Sequence, residues 1–298
     1  MKKGKNNMIL QEVIEHLHEN LKDSPRLDKI VINPAFSRML LNNGDMGLAM
    51  NIRSGGQFND SPIEAFLAGQ PGKMGLDVAR ELHEKIEGMK PDNNSILLLR
   101  SLLVALLNAL SRPFINEEYL NPPGYQFSVG AEKHASQQVK PGETVTMVGF
   151  GGMVRNVAQI AGTTYVTELE PELFKATAFS SQGVSSGPQC ARVVAAKTAG
   201  PCFQASDTVI ITGCALVSNT MEEILAQCQG KRVIVYGHTA AIFPEPLFRR
   251  GVNIISTGRV VDSTLMVDLL MNCAGAVERF FPLATEDVQI LHGPQILK

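Results

Sequence analysis

Five short apolar runs in the second half of the chain constrain its fold more than any other feature: TVTMVGF (144–150), TTYVTEL (163–169), TVIITG (208–213), RVIVYG (232–237) and VNIIST (252–257). Each is too uniformly apolar to keep one face in water. Strands buried on both faces belong to a parallel sheet covered by helices, and the gaps between these runs leave room for one helix apiece. Residues 125–298 are therefore expected to form a Rossmann-like domain with a doubly wound parallel sheet.

The first half is patterned differently. Ile9, Leu10, Val13, Ile14, Leu17 and Leu21 recur at the three- and four-residue spacing of an amphipathic helix. His16 and His18 diverge on that helix, so they are expected as two solvated imidazoles rather than a metal-ligand pair. KIVINPAF, SRMLLNNG and MGLAMNIRS, separated by turn residues, predict a small antiparallel meander. SPIEAFLAG, LDVARELHEKIEG and SILLLRSLLVALLNALS then carry helical periodicity, with Ser61 and Ser95 placed as N-caps and Gly88 near a C-terminus. Strands followed by helices describe an α+β module over residues 1–124, and NPPGYQFS (121–128) supplies the break between domains. The fold class expected for the whole chain is α/β.

Length and composition permit this and narrow the partners. A chain of 298 residues with 44% apolar content supports two ordinary domains. With 27 basic against 29 acidic residues and no Lys/Arg-rich segment, it lacks the footprint of a nucleic-acid binder. ILLLRSLLVALLNAL (96–110) is shorter than a bilayer span and contains Arg100, so it reads as a buried helix and no membrane partner is expected. The start, MKKGKNN, runs into an amphipathic stretch without an apolar h-region, which argues against secretion. Cys190, Cys202, Cys214, Cys228 and Cys273 form an odd, widely spaced set, which suits a reduced cytoplasm and offers no zinc motif. The expected partner is a small molecule, with a homodimer as the base-rate oligomer.

The chemistry should sit where the parallel strands end, because ligands of open parallel sheets bind outside the carboxyl ends of the strands. Gly149, Gly213, Gly237 and Gly258 follow or close four of the five runs. Glycine at such a place either lets backbone approach a ligand or simply makes a tight turn. Gly149 and Gly151 fit the first two positions of a dinucleotide fingerprint, and Glu168 or Glu170 stands where a ribose-binding carboxylate belongs. The third glycine position is Val154, which argues against ordinary NAD binding. Gly152 leaves the turn open enough for its backbone N–H groups to hold an anion. After Thr212 and Gly213, Ser218 or Asn219 stands at a helix N-cap position with Glu222 at capping-box distance. Asn219 and Thr220 are then either caps or groups that face the crevice. His238 and Thr239 follow the next strand; a histidine there is either a general acid or base or a polar turn residue. Cys214 has no visible partner histidine and reads as a small apolar filler. The spacing of His, Cys, Asp and Glu shows no metal-ligand set, and the residues select no cofactor.

DTVIITGCALVSNTMEEIL and YGHTAAIFPEPLFRRGVNIISTGRVVD resemble the C-terminal Rossmann-like domain of a two-domain family of unknown function named for heavy-metal chelation. GDMGLAMNI (44–52) and LLNALS (106–111) are similar to that family's N-terminal module, which has an enolase-N-terminal-like fold. The resemblance implies one polar cleft shared by both domains. That draws in Asn108, an amide within an apolar helix, which needs a partner in the protein or in a ligand. The chain departs from the family in its glycine-rich GFGGM and its long SSQGVSSGPQCARVV segment. The expectation is a protein that binds or modifies a small anionic or metal-chelating molecule in the cleft. A nucleotide-dependent enzyme of methyltransferase or reductase type and a non-catalytic metal carrier are the rival readings.

Overall fold

The computed structural model describes residues 8–52, 61–90, 95–121, 124–130 and 135–292; Pro122 and Pro123 of the expected break and the basic start lie outside them. Helix α1 (Met8–Asn20) buries Ile9, Leu10, Val13, Ile14 and Leu17, as its spacing predicts. His18 is exposed, but His16 is not the solvated imidazole expected: its ring stacks on Phe243 at 3.5 Å.

Strands β1 (Leu27–Ile32), β2 (Phe36–Leu41) and β3 (Met46–Met50) form the expected antiparallel meander. Helices α2 (Ser61–Ala68), α3 (Gly75–Glu87) and α4 (Ser95–Ser111) follow it, in the strands-then-helices order of an α+β module; Ser61 and Ser95 are the first helical residues, and Gly88 closes α3. Helix α4 is a core helix, buried from Leu102 through Ser111. Among the described residues, Ser95–Phe114 is the one helical stretch long and apolar enough to cross a membrane, and it is mostly buried inside the protein. Its backbone lies so close to β3 that a Cβ on Gly47 would stand 1.9 Å from the Ala105 carbonyl oxygen.

After a short helix α5 (Glu117–Leu120), the chain enters an eight-stranded sheet. Its members are β4 (Tyr125–Val129), β5 (Thr144–Val148), β6 (Thr163–Glu168), β9 (Arg192–Ala195), β10 (Thr208–Thr212), β11 (Arg232–Tyr236), β12 (Ile254–Val260) and β13 (Thr285–His292). The order is β4-β13-β12-β11-β10-β5-β6-β9. The six strands from β12 to β9 run parallel, and β13 and β4 add antiparallel pairs at one edge. The sheet is thus not wholly parallel. The segment between β6 and β9 contains an exposed hairpin of β7 (Thr177–Ser180) and β8 (Gly183–Ser186).

Alternation along the strands divides the interior in two. Val209, Ile211, Val233, Val235 and Ile255 join the core built around α4, whereas Val145, Met147, Ile210 and Ile234 join a second core beneath α6 (Val154–Ile160). Burying each such side chain contributes about 1.5–3 kcal/mol. Because α4 packs on the meander and on residues 214–217 and 238–240 at the ends of β10 and β11, the first core runs continuously from the meander to the large sheet.

Candidate functional site

From β5 the chain winds outward to β6 and β9, then returns to place β10 on the other side of β5. This reversal is the topological switch point of the sheet, where neighbouring strand ends diverge and leave a crevice. Gly149, at φ 90°, turns the chain out of β5 beside Thr212 at the end of β10. A Cβ on Gly151 would stand 3.1 Å from the Tyr236 hydroxyl at the end of β11, while Gly152 faces open space. The Phe150 N–H donates to a Glu168 carboxylate oxygen, so the acid at the end of β6 grips the glycine turn itself. Val154 opens α6 and is buried in the core beneath it.

On the other side of the crevice, α7 (Cys214–Val217) starts at Gly213, and the Cys214 N–H donates to Thr212 Oγ1 at 3.3 Å. Cys214 Sγ lies 3.5 Å from Met50 Sδ, which comes from β3 of the other module. Burial raises the Cys214 thiol, opposed by hydrogen bonds from Thr212 and Thr239, and burial pushes the Tyr236 hydroxyl up to about 12, with the Cys214 charge acting the same way. At neutral pH both groups keep their protons. The Met50 N–H donates to Thr239 Oγ1 at 3.0 Å, which stitches the free edge of the meander to residues 238–240.

Several expected site residues do other work. Helix α8 (Met221–Gln227) begins after Thr220, whose side chain makes no cap bond but meets Ser218 Oγ at 2.8 Å. Asn219 is exposed at φ 60°, and Glu222 accepts from the Ile9 N–H at 2.9 Å rather than closing a capping box. Glu170 is exposed beyond β6. Gly213 is glycine because Thr239 and Ala240 fill the space of a Cβ, with the nearest atom 2.7 Å away. Gly258 lies inside β12 rather than at its end, and its missing Cβ is replaced by the His238 ring, 2.2 Å from where that Cβ would be. Only Gly237, at φ 95°, matches Gly149 as a positive-φ strand-end turn; it faces open space, whereas a Cβ on Gly149 would stand 3.0 Å from Thr212 Cγ2. Two of the four glycines therefore serve protein packing.

His238 borders a second feature, a small cavity of about 20 Å³ between β3, the end of α4 and β12. Asn108, Arg112, Arg259 and Leu48 share its lining. The Asn108 amide donates to Leu48 O at 2.6 Å and to His238 O at 3.0 Å, so it ties the modules together; its Oδ1 is buried without a hydrogen-bond partner. The same holds for His238 Nδ1 and Arg112 Nη1. Burial holds the His238 imidazole below its usual value, opposed by the Gly258 backbone and the Asp287 charge. Arg259 is paired with Glu286 and donates to Ile115 O at 3.2 Å. Met50, Tyr236, Arg112 and Arg259 escape sequence reasoning because each reads as an ordinary member of its strand or helix end. Among the described residues, no group of three or more His, Cys, Asp or Glu side chains is placed to hold a metal ion.

Fold and site together define an α/β protein whose N-terminal meander reaches the strand ends of the large sheet through Met50. The model of the DUF364 family, described as "Putative heavy-metal chelation", matches residues 134–283, half of the chain, and the chain belongs to that family. It is similar to a DUF364 protein of unknown function from Pyrococcus horikoshii, with 16% identity over 96% of this chain and 100% of that one and a TM-score of 0.66. A second, from Desulfitobacterium hafniense DCB-2, is similar at 17% identity over 96% and 99%, also with a TM-score of 0.66. These likenesses concern the fold. No curated protein matches the chain.

Proposed function

We propose that this protein binds a small anionic or metal-chelating molecule in the cleft where the meander meets the strand ends, with a role in heavy-metal chelation in the cytoplasm. The family description supports the general role. The observation that carries the reading is the sulfur pair, Cys214 Sγ and Met50 Sδ at 3.5 Å, contributed by different modules at the switch point. A thiolate and a thioether favour soft metals over magnesium or calcium. Two sulfurs leave a metal short of ligands, so the remaining donors belong to the chelating molecule. Residues 1–124 and 125–298 act in this reading as two jaws, with Gly149, Gly151, Gly152, Thr212 and Tyr236 lining one side.

The nucleotide-enzyme reading is less well supported, because the Phe150 N–H that would meet a pyrophosphate is engaged by Glu168. The metal reading is tested with cadmium, read by thermal shift and by thiolate-to-metal absorbance. Wild type should be stabilised, and more strongly as pH rises, since the raised thiol must lose its proton to bind. Cys214→Ser should lose at least tenfold in affinity. An unchanged cadmium response in that variant removes the sulfur pair from the site.

A further inference from the structure

Residues 176–191, ATAFSSQGVSSGPQCA, form the longest stretch of the sequence without a charged residue. A stretch nearly as long, 208–221, is largely buried, whereas this one carries the hairpin of β7 and β8, exposed at every position from 177 to 186. The hairpin meets its own polar needs. Thr177 and Ser186 join hydroxyls at 3.2 Å, and in the turn the Gln182 N–H donates to Ser180 Oγ, also at 3.2 Å. Its apolar groups are left over. Phe179 and Val184 stand directly opposite each other in the antiparallel register, so they share one face, and they are 81% and 66% exposed. With Leu169 and Leu173, they make four of the ten large apolar side chains exposed among the described residues, all within residues 169–184. A two-stranded hairpin with neither face covered is marginally stable in water, so an ordered one needs a partner. Its root is held: Phe174, just before β7, stacks on Phe150 of the glycine turn with ring centroids 5.1 Å apart.

We infer that this hairpin is a self-association arm, whose Phe179–Val184 face packs on the same face of a second copy of the chain across a two-fold axis. The absence of charge selects this occupant. In a two-fold contact each residue near the axis meets its own copy, so a charge of either sign would repel itself. A different protein is selected by complementary charge, and a membrane surface by Lys or Arg beside the apolar face; residues 176–191 offer neither. The size also fits. Residues 169–191 number 23, and a stable interface takes about 20–30 residues a side. The inference goes beyond the cleft reading and does not depend on it, since Phe179 and Val184 belong neither to the sulfur pair nor to the lining of the cavity beside His238.

The test is sedimentation equilibrium of the full chain without metal. Wild type should be a dimer at about 100 μM. Phe179→Glu should weaken that dimer about a hundredfold or more, because two like charges then meet at the axis, while its circular dichroism stays that of the folded chain. Phe179→Lys should do the same, and an equimolar mixture of the two variants should regain dimers, since opposite charges now face each other. Val184→Thr keeps a β-branched residue in the strand, and so keeps the hairpin, but removes an apolar methyl from each copy; it should weaken the dimer about tenfold. Four outcomes overturn the inference. Wild type is a monomer at that concentration, and sedimentation of that monomer with phosphatidylcholine vesicles would assign the arm to a lipid surface. Phe179→Glu dimerises like wild type, which would move the interface elsewhere. The mixture stays monomeric, which would remove Phe179 from a two-fold axis, or Val184→Thr dimerises unchanged. Because metal is omitted, failure here leaves the cadmium result at Cys214 intact, and failure there leaves this one.

Discussion

Arg38 is fully buried in β2, and all three of its guanidinium nitrogens lack a hydrogen-bond partner. Burial alone draws its pKa down to about 9. By strand alternation it lies on the face of Phe36 and Leu48, which pack against α9 (Ser263–Asn272) and the segment that follows it. An unpaired buried charge costs more than an apolar side chain of similar length. Arg38→Met, which keeps the stem and removes the charge, should raise the unfolding free energy by about 1–4 kcal/mol in urea denaturation. A decrease would mean that the guanidinium has a favourable partner in solution. In the sequence this arginine looks like a solvated strand residue, because nothing local to SRMLL says that both faces of β2 are covered. The glycines tell a related story. Their positions near strand ends were legible, but whether each meets a ligand or a neighbouring side chain depends on residues distant in the chain.

At the scale of elements, the contact that organises the molecule is β3 against α4. Gly47 has an ordinary φ, so its requirement for glycine is wholly one of packing, set by Ala105 O and by Ala109 N, 2.5 Å from a would-be Cβ. Gly47→Ala must push a strand from a fully buried helix. It should cost about 3 kcal/mol, measured by chemical denaturation, and should weaken any ligand that needs Met50 beside Cys214. Loss of much less would show that β3 slides freely. Five of the six parallel strands were readable because two covered faces demand unbroken apolar runs; β9, nowhere fully buried, was missed. Strands β13 and β4 were not readable either: each keeps polar or half-exposed positions, and TEDVQILH begins with three residues that are only partly buried.

At the scale of the whole molecule, two imidazoles stand where the modules meet. His16 of α1 stacks on Phe243, and His238 borders the cavity; burial lowers both from 6.5. Near that pH the unfolded chain takes up protons that the fold refuses, so stability is complete above pH 6.5 and falls as pH drops below it. Thermal denaturation from pH 7.5 to 5.5 should show this loss, and His16→Phe should reduce its slope. Glu12, whose carboxyl the Arg250 hydrogen bond lowers, contributes only at more acidic pH, below 4.5, so the two windows separate. A flat profile between 7.5 and 5.5 would mean that neither ring is buried when the protein is free in solution. The sequence by itself determined the parallel sheet, the meander and the helices, because burial writes periodicity into neighbouring residues. It also marked His238, Asn108 and the Gly149 turn as places where chemistry and packing compete. Only the tertiary structure decided that competition. It alone set Met50 against Cys214, filled Gly213 and Gly258 with protein, and gathered Asn108, Arg112 and His238 around one cavity, because those contacts join residues distant in the chain that no local pattern couples.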